Sequence, residues 1–218
     1  MSDDKTHSYV PTLRRQLAEK QISRREFMRT ATLLGVSAAS ASAMAGIGTR
    51  AMAQGTPVQG GALRIANAVN DPTNPATLNN VTDSNVVRQT LEYLTETGVD
   101  NVTRPYLLES WEPSEDLKSW TLNVRPGVKW ADGREFTADD VEWNIRYQLT
   151  DDTGSSVLGL MKDYMLTEKV DGDAKSHELW DASAIEKIDD HTIRLNLKSP
   201  QIAIPEHLFH YPFAMIDP

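Results

Sequence analysis

Hydrophobic and polar positions follow the clearest pattern between Trp111 and Leu149, where two strand patterns, two turns and one capped helix succeed one another without a break. Trp120-Thr121-Leu122-Asn123-Val124 alternates at period two with β-favouring residues, as a strand with one buried face does. Pro126-Gly127 predicts a turn and Val128-Lys129-Trp130 a second short alternation. Asp132-Gly133 then predicts another turn, in which glycine takes positive φ at little cost. Thr137 stands at an N-cap position with Asp139 and Asp140 in the turn behind it, where carboxylates favour the helix dipole. Val141, Ile145 and Leu149 recur every four residues, so a helix is predicted over 137–149.

The rest of the chain carries weaker versions of the same two periods. Leu63 and Ile65 flank Arg64 and predict a strand near 62–66, after the flexible pair Gly60-Gly61. Val87, Leu91 and Leu94 are spaced as one helical face, which predicts a helix over 84–97 closed by Gly98. A further helical segment is predicted from Ser155 to Leu166, whereas Val170 to Trp180 reads as polar and irregular. Ala184 to Ile188 and Thr192 to Leu197 alternate on either side of Asp189-Asp190, as the arms of a hairpin do. Helical and strand periods together predict a mixed α/β fold. Trp120, Leu122, Val124, Val141, Ile145, Ile193, Leu195 and Leu197 are its expected core.

Composition changes this picture at the N-terminus. Of the 218 residues, 1–53 hold 8 Lys/Arg against 4 Asp/Glu, while the remainder hold 14 against 27. So acidic a body is a poor partner for nucleic acid or an anionic membrane, and it suits a secreted monomer. The basic segment reads as a targeting leader and is excluded from the reading of the fold. Ser23-Arg24-Arg25-Glu26-Phe27 matches the twin-arginine pattern, residues 30–48 form a weakly apolar stretch, and Ala51-Met52-Ala53 is a small-residue cleavage site. The expected export signal is therefore Ser23, Arg24, Arg25 and Phe27, with cleavage after Ala53 (Ala51 and Ala53 being the small residues), and the twin-arginine translocase is the expected partner. The alternative is an alanine-rich amphipathic helix with a chance arginine pair. The chain has no cysteine, which rules out disulfides, thiolate metal sites, a cysteine nucleophile and a lipid anchor on cysteine.

The central wording also carries a resemblance. Leu108-Glu109-Ser110-Trp111, Ser114-Glu115-Asp116, the run Trp120 to Trp130, Asp132-Gly133 and Ala138-Asp139-Asp140-Val141 follow in order. Ile188-Asp189-Asp190, Thr192 to Leu197 and Pro200 form a second phrase. In this the chain resembles family 5 extracytoplasmic solute-binding proteins, the oligopeptide-, dipeptide- and nickel-binding class that feeds ABC importers. The resemblance implies the N-terminal part of a two-lobed periplasmic-binding-protein fold. Behind the leader at 1–53 it places the first segment of lobe I at 54–83, an accessory α/β domain at 84–210 and the start of a return into lobe I at 211–218. It further implies a fragment of a longer protein, a periplasmic location, a peptide-like or other small solute as ligand and an inner-membrane ABC permease as partner.

Candidate site residues follow from the same resemblance. The loop after the first strand passes the solute cleft in family members, which nominates Asn67, Asn70 and Asp71 as ligand-binding; the same residue types also serve as plain turn formers in a proline-rich loop. Apolar surface is expected to lie exposed near Thr73 to Val81 and after Leu208, where a second lobe would pack. No catalytic residue, cofactor or metal is expected. Asp171-Gly172-Asp173 lacks the remaining calcium-loop ligands, and His207 with His210 has no third ligand at zinc-site spacing. No Gly-x-Ser-x-Gly, phosphate-loop, dinucleotide or His-Glu-x-x-His motif occurs, so an exported hydrolase or oxidoreductase, the alternative, needs a catalytic part beyond this chain.

Overall fold

The computed structural model describes residues 7–46, 60, 62, 64–68, 70 and 73–218. Its centre is an antiparallel four-stranded sheet in the order β3-β4-β8-β7, built from β3 (Leu108–Pro113), β4 (Ser119–Val124), β7 (Ile185–Asp189) and β8 (Thr192–Asn196). The period-two pattern decides which face is covered. Trp120 sits opposite Leu195 and Leu122 opposite Ile193, all at most 1% exposed. Each such side chain contributes roughly 1.5–3 kcal/mol by leaving water. Helix α5 (Ala138–Gln148) packs on this sheet through β7 and β8, burying Val141, Ile145 and Leu149. Its start agrees with the expected cap: the Asp140 carboxylate accepts a hydrogen bond from the Thr137 backbone N–H at 2.8 Å. All eight expected core residues are buried.

Around this centre lie α4 (Val81–Val87), the short pair β1 (Thr95–Thr97) and β2 (Thr103–Pro105), α6 (Ser156–Met165), the hairpin β5 (Leu166–Asp171) and β6 (Ala174–Leu179), and α7 (Ile204–His207). The turns at Pro126-Gly127 and Asp132-Gly133 form as expected, with both glycines at positive φ (+76° and +92°).

Several expectations fail for physical reasons. The helix expected over 84–97 begins earlier and stops at Val87, and residues 95–97 are a strand. Tyr93, Leu94 and Thr95 are consecutive and all buried, so the helical spacing of Leu91 and Leu94 belongs to a segment covered on both sides. Gly98 turns the β1–β2 connection instead of ending a helix, donating to the Val102 carbonyl at 3.1 Å. The segment expected to be irregular is the β5–β6 hairpin, whose two exposed faces leave no apolar alternation to detect. Lys169–Glu178 and Lys175–Glu168 pairs link its strands. Val128 to Trp130 is no strand but one arm of a tight loop with the single bridge Lys129 to Glu135. Residues 62 and 64–66 form no strand either, and Ile65 is 77% exposed; no described strand pairs with them, and an unpaired strand has no ladder to hold it. The exposure expected after Leu208 is also wrong, because Phe213, Ala214 and Met215 are buried; near Thr73 to Val81, Ala76 and Leu78 are buried and Val81 is exposed.

The N-terminal segment is the largest difference. Residues 7–46, excluded from the sequence-based reading of the fold, form α1 (Val10–Ala18), α2 (Arg24–Leu33) and α3 (Ala38–Met44), which share a small core with Val102, Leu117 and Ile202 of the body. Ala51 and Ala53 lie outside the described residues. Among the described residues no helix is long and apolar enough to cross a membrane.

Candidate functional site

The expected ligand loop runs into α4, and its asparagines are occupied there. Asn80 caps the helix by accepting from the Asp83 N–H at 2.9 Å, as the first turn of a helix requires. The Asp83 carboxylate accepts from the Asn80 amide at 2.6 Å, and from the backbone and side chain of Asn70 at 2.9 and 3.0 Å. These donors, the Asn80 side chain foremost, hold the Asp83 carboxyl below the usual carboxylate range. Asn67 donates to the Thr82 carbonyl at 2.9 Å. Thus Asn67 and Asn70 converge on one helical turn through their side-chain amides. Asp71 lies outside the described residues.

Beyond this loop the chain meets a polar stripe that sequence reasoning missed. Asp140, Asn144 and Gln148 recur every four residues on α5 beside its apolar stripe, and all three are buried. Asn144 donates to the Ile216 carbonyl and accepts from the Ile216 N–H, both at 2.9 Å, and Gln148 donates to the Pro212 carbonyl at 2.6 Å. Arg134 joins Asp140 to Asp217. One turn away, Tyr147 accepts from the Asn74 amide at 2.9 Å while its ring stacks on Trp143. A single face of α5 therefore ties down both the incoming segment, through Asn74, and the outgoing one, through Pro212 to Asp217. The available signal was the spacing of three buried-competent amide and carboxylate residues; only the fold supplies their backbone partners.

The outgoing segment also walls a half-open cleft of about 470 Å³, lined by Arg88, Tyr106, Trp130 and Phe136 among others. Arg88 lies over the rings of Phe209 and Tyr93 at 4.2 and 5.1 Å, and the buried Arg88 Nε and Trp130 Nε1 have no hydrogen-bond partner among the described residues.

The histidines expected on one helix are separated. Only His207 lies on the short α7, where its Nδ1 meets the Tyr164 hydroxyl at 2.6 Å and its ring stacks on Tyr164. Burial pushes its pKa down to about 4. His210 packs on Tyr211 instead. Among the described residues no group of three or more His, Asp or Glu is placed to hold a metal ion.

The expected export motif lies on α2. Ser23 caps that helix, accepting from the Glu26 N–H at 3.2 Å while Glu26 accepts from the Ser23 N–H at 2.7 Å, a reciprocal pair. Arg24 and Arg25 are exposed in the first turn, and Phe27 is fully buried.

Comparison with known proteins places this arrangement. The chain is 32% identical over 124 residues to the periplasmic oligopeptide-binding protein OppA of Haemophilus influenzae, covering 55% of this chain and 22% of that protein. Among solved structures, OppA of H. influenzae in complex with RPPGFSPFR aligns with a TM-score of 0.53 and 25% identity, over 68% of this chain and 30% of that one. NikZ from Campylobacter jejuni in complex with Ni(L-His) shares the fold at a TM-score of 0.51 and 21% identity, over 69% and 27%. The chain thus spans about a quarter of the length of the relatives it matches. The model of the bacterial extracellular solute-binding proteins, family 5 Middle, matches residues 103–217, from β2 through the sheet and α5 to the outgoing segment. With more than half of its length so matched, the chain belongs to the family 5 bacterial extracellular solute-binding proteins.

Proposed function

We propose that this chain is part of the solute-capturing component of an ABC import system, which encloses a peptide-like solute in the periplasm between two lobes and passes it to an inner-membrane permease. The family match over residues 103–217 carries this reading, and the relatives named for oligopeptide binding support the solute class. Residues 54–83 enter from lobe I, 84–210 form an accessory domain and 211–218 return to lobe I. The tethering of Asn74 and Ile216 to one face of α5 supports this division, because two crossings fixed to one helix move with it as a unit. Asn67, Asn70 and Asp71 face the solute, the two asparagines through their side-chain oxygens. No bond is made or broken: solute contacts to both lobes exist only when the lobes are closed, so binding shifts the population towards closure. Residues 1–53 direct export by the twin-arginine route and are removed after Ala53.

A thermal-shift screen of the complete protein against peptides, sugars and metal ions tests the reading. A peptide at a hundred times its Kd stabilises a one-site binder by about 2.7 kcal/mol. Peptides are expected to raise the melting temperature; a screen in which only sugars or metals do so removes the peptide assignment.

A further inference from the structure

Phe27 is expected in the export signal, yet the structure buries it completely, together with Ala31, Leu33 and Leu34 of the apolar stretch that follows. What covers them is partly the leader's own α1 and α3 and partly the body. Val102 comes from the β1–β2 connection, Leu117 from the β3–β4 turn and Ile202 from the segment before α7. Two polar contacts fix the register. Arg29 donates to both carboxylate oxygens of Glu206, from Nε at 2.6 Å and Nη2 at 2.5 Å, a two-pronged ion pair with directional preference. At the other end of α2 the Trp111 indole N–H points to the Leu33 carbonyl at 3.4 Å, one of the helix-terminal carbonyls that lack an intrahelical partner. These body residues are up to about a hundred positions apart in the chain and come together only when the sheet and α7 have formed. A ten-residue helix is marginal alone in water, so α2 depends on this surface for its order.

We infer that the folded body clasps leader helix α2 through Glu206, Trp111 and the Val102–Leu117–Ile202 surface, and that the clasp withholds Phe27 and the apolar stretch from the export machinery until it opens. Arg24 and Arg25 stay exposed, so the clasp hides only part of the signal. This rests on reading residues 1–53 as an export leader, and the docking is measurable without it.

Hydrogen exchange on the purified 218-residue chain decides the docking. Amides of residues 27–34 are expected to be protected at least tenfold over an unstructured chain, with protection lost in Glu206→Arg and restored in the Arg29→Glu/Glu206→Arg double variant. Protection of β4 and β8 in the same samples reports that the body is still folded. Unprotected leader amides in the wild-type chain, or a Glu206→Arg variant that keeps its protection, would overturn the clasp. In cells, Glu206→Arg is expected to speed leader removal severalfold and the double variant to slow it again; equal rates in all three would overturn the withholding role. Arg24→Lys/Arg25→Lys tests the export reading separately. Normal removal of its leader would refute that reading and with it the export half of the inference, leaving the docking to the exchange result.

Discussion

Replacing Asn144 by alanine tests the idea that α5 holds the outgoing segment by a buried amide. Asn144 is fully buried and spends its side chain on three bonds at 2.9 Å: to the Asp140 carbonyl, to the Ile216 carbonyl and from the Ile216 N–H. The substitution leaves both backbone groups of Ile216 without that partner. A buried polar group so abandoned costs about 1–3 kcal/mol, and since Ile216 is half-buried, water recovers part of it. The expected loss is therefore about 2–3 kcal/mol. The neighbouring Ile145→Ala removes core volume and is expected to cost about 2–5 kcal/mol. Free energy alone does not separate the two, but the pattern of opening does. Urea unfolding followed by tryptophan fluorescence gives the totals, and native-state hydrogen exchange locates them. Asn144→Ala should deprotect the Ile216 amide selectively, whereas Ile145→Ala should lower protection throughout β4 and β8. A loss under about 0.5 kcal/mol for Asn144→Ala, or an Ile216 amide that exchanges as in the wild type, refutes the tether.

Stability should also depend on pH through His207. Its pKa falls from 6.5 to about 4 on folding because burial disfavours the imidazolium, so between those values the unfolded chain binds the extra proton. The contribution is present above about 6.5 and is lost as the pH falls towards 4, by at most about 3 kcal/mol; His210, lowered by burial too, acts in the same direction. His207→Gln should flatten the urea midpoint across that window, and an unchanged slope counts against the buried neutral imidazole. Isothermal titration of the 218-residue chain against peptide, sugar and nickel should show no tight binding, since a two-lobed binder gains affinity by enclosing its ligand at a domain interface. One submicromolar, saturable isotherm overturns that expectation.

What the residues determined by themselves is the centre of the body. Trp120 to Val124 and Thr192 to Leu197 alternate so regularly that only one face could be buried, and β4 and β8 pair with their expected core residues opposite one another. The α5 cap and apolar stripe were legible for the same reason: short-range spacing and local hydrogen bonds suffice to specify them. The tertiary structure decided everything that needs a partner from far along the chain. Residues 95–97 became a strand because Thr103 to Pro105 lay alongside, and the β5–β6 hairpin formed with no buried face to announce it. Asn144 and Gln148 looked like ordinary polar helix residues until Ile216 and Pro212 arrived beside them. Residues 7–46, which their own pattern set aside as a targeting segment, were folded onto the body by contacts such as Arg29 with Glu206, 177 residues away. A pattern in sequence reports how a segment divides itself between water and core; which groups wait at the other side is settled only when the whole chain is packed.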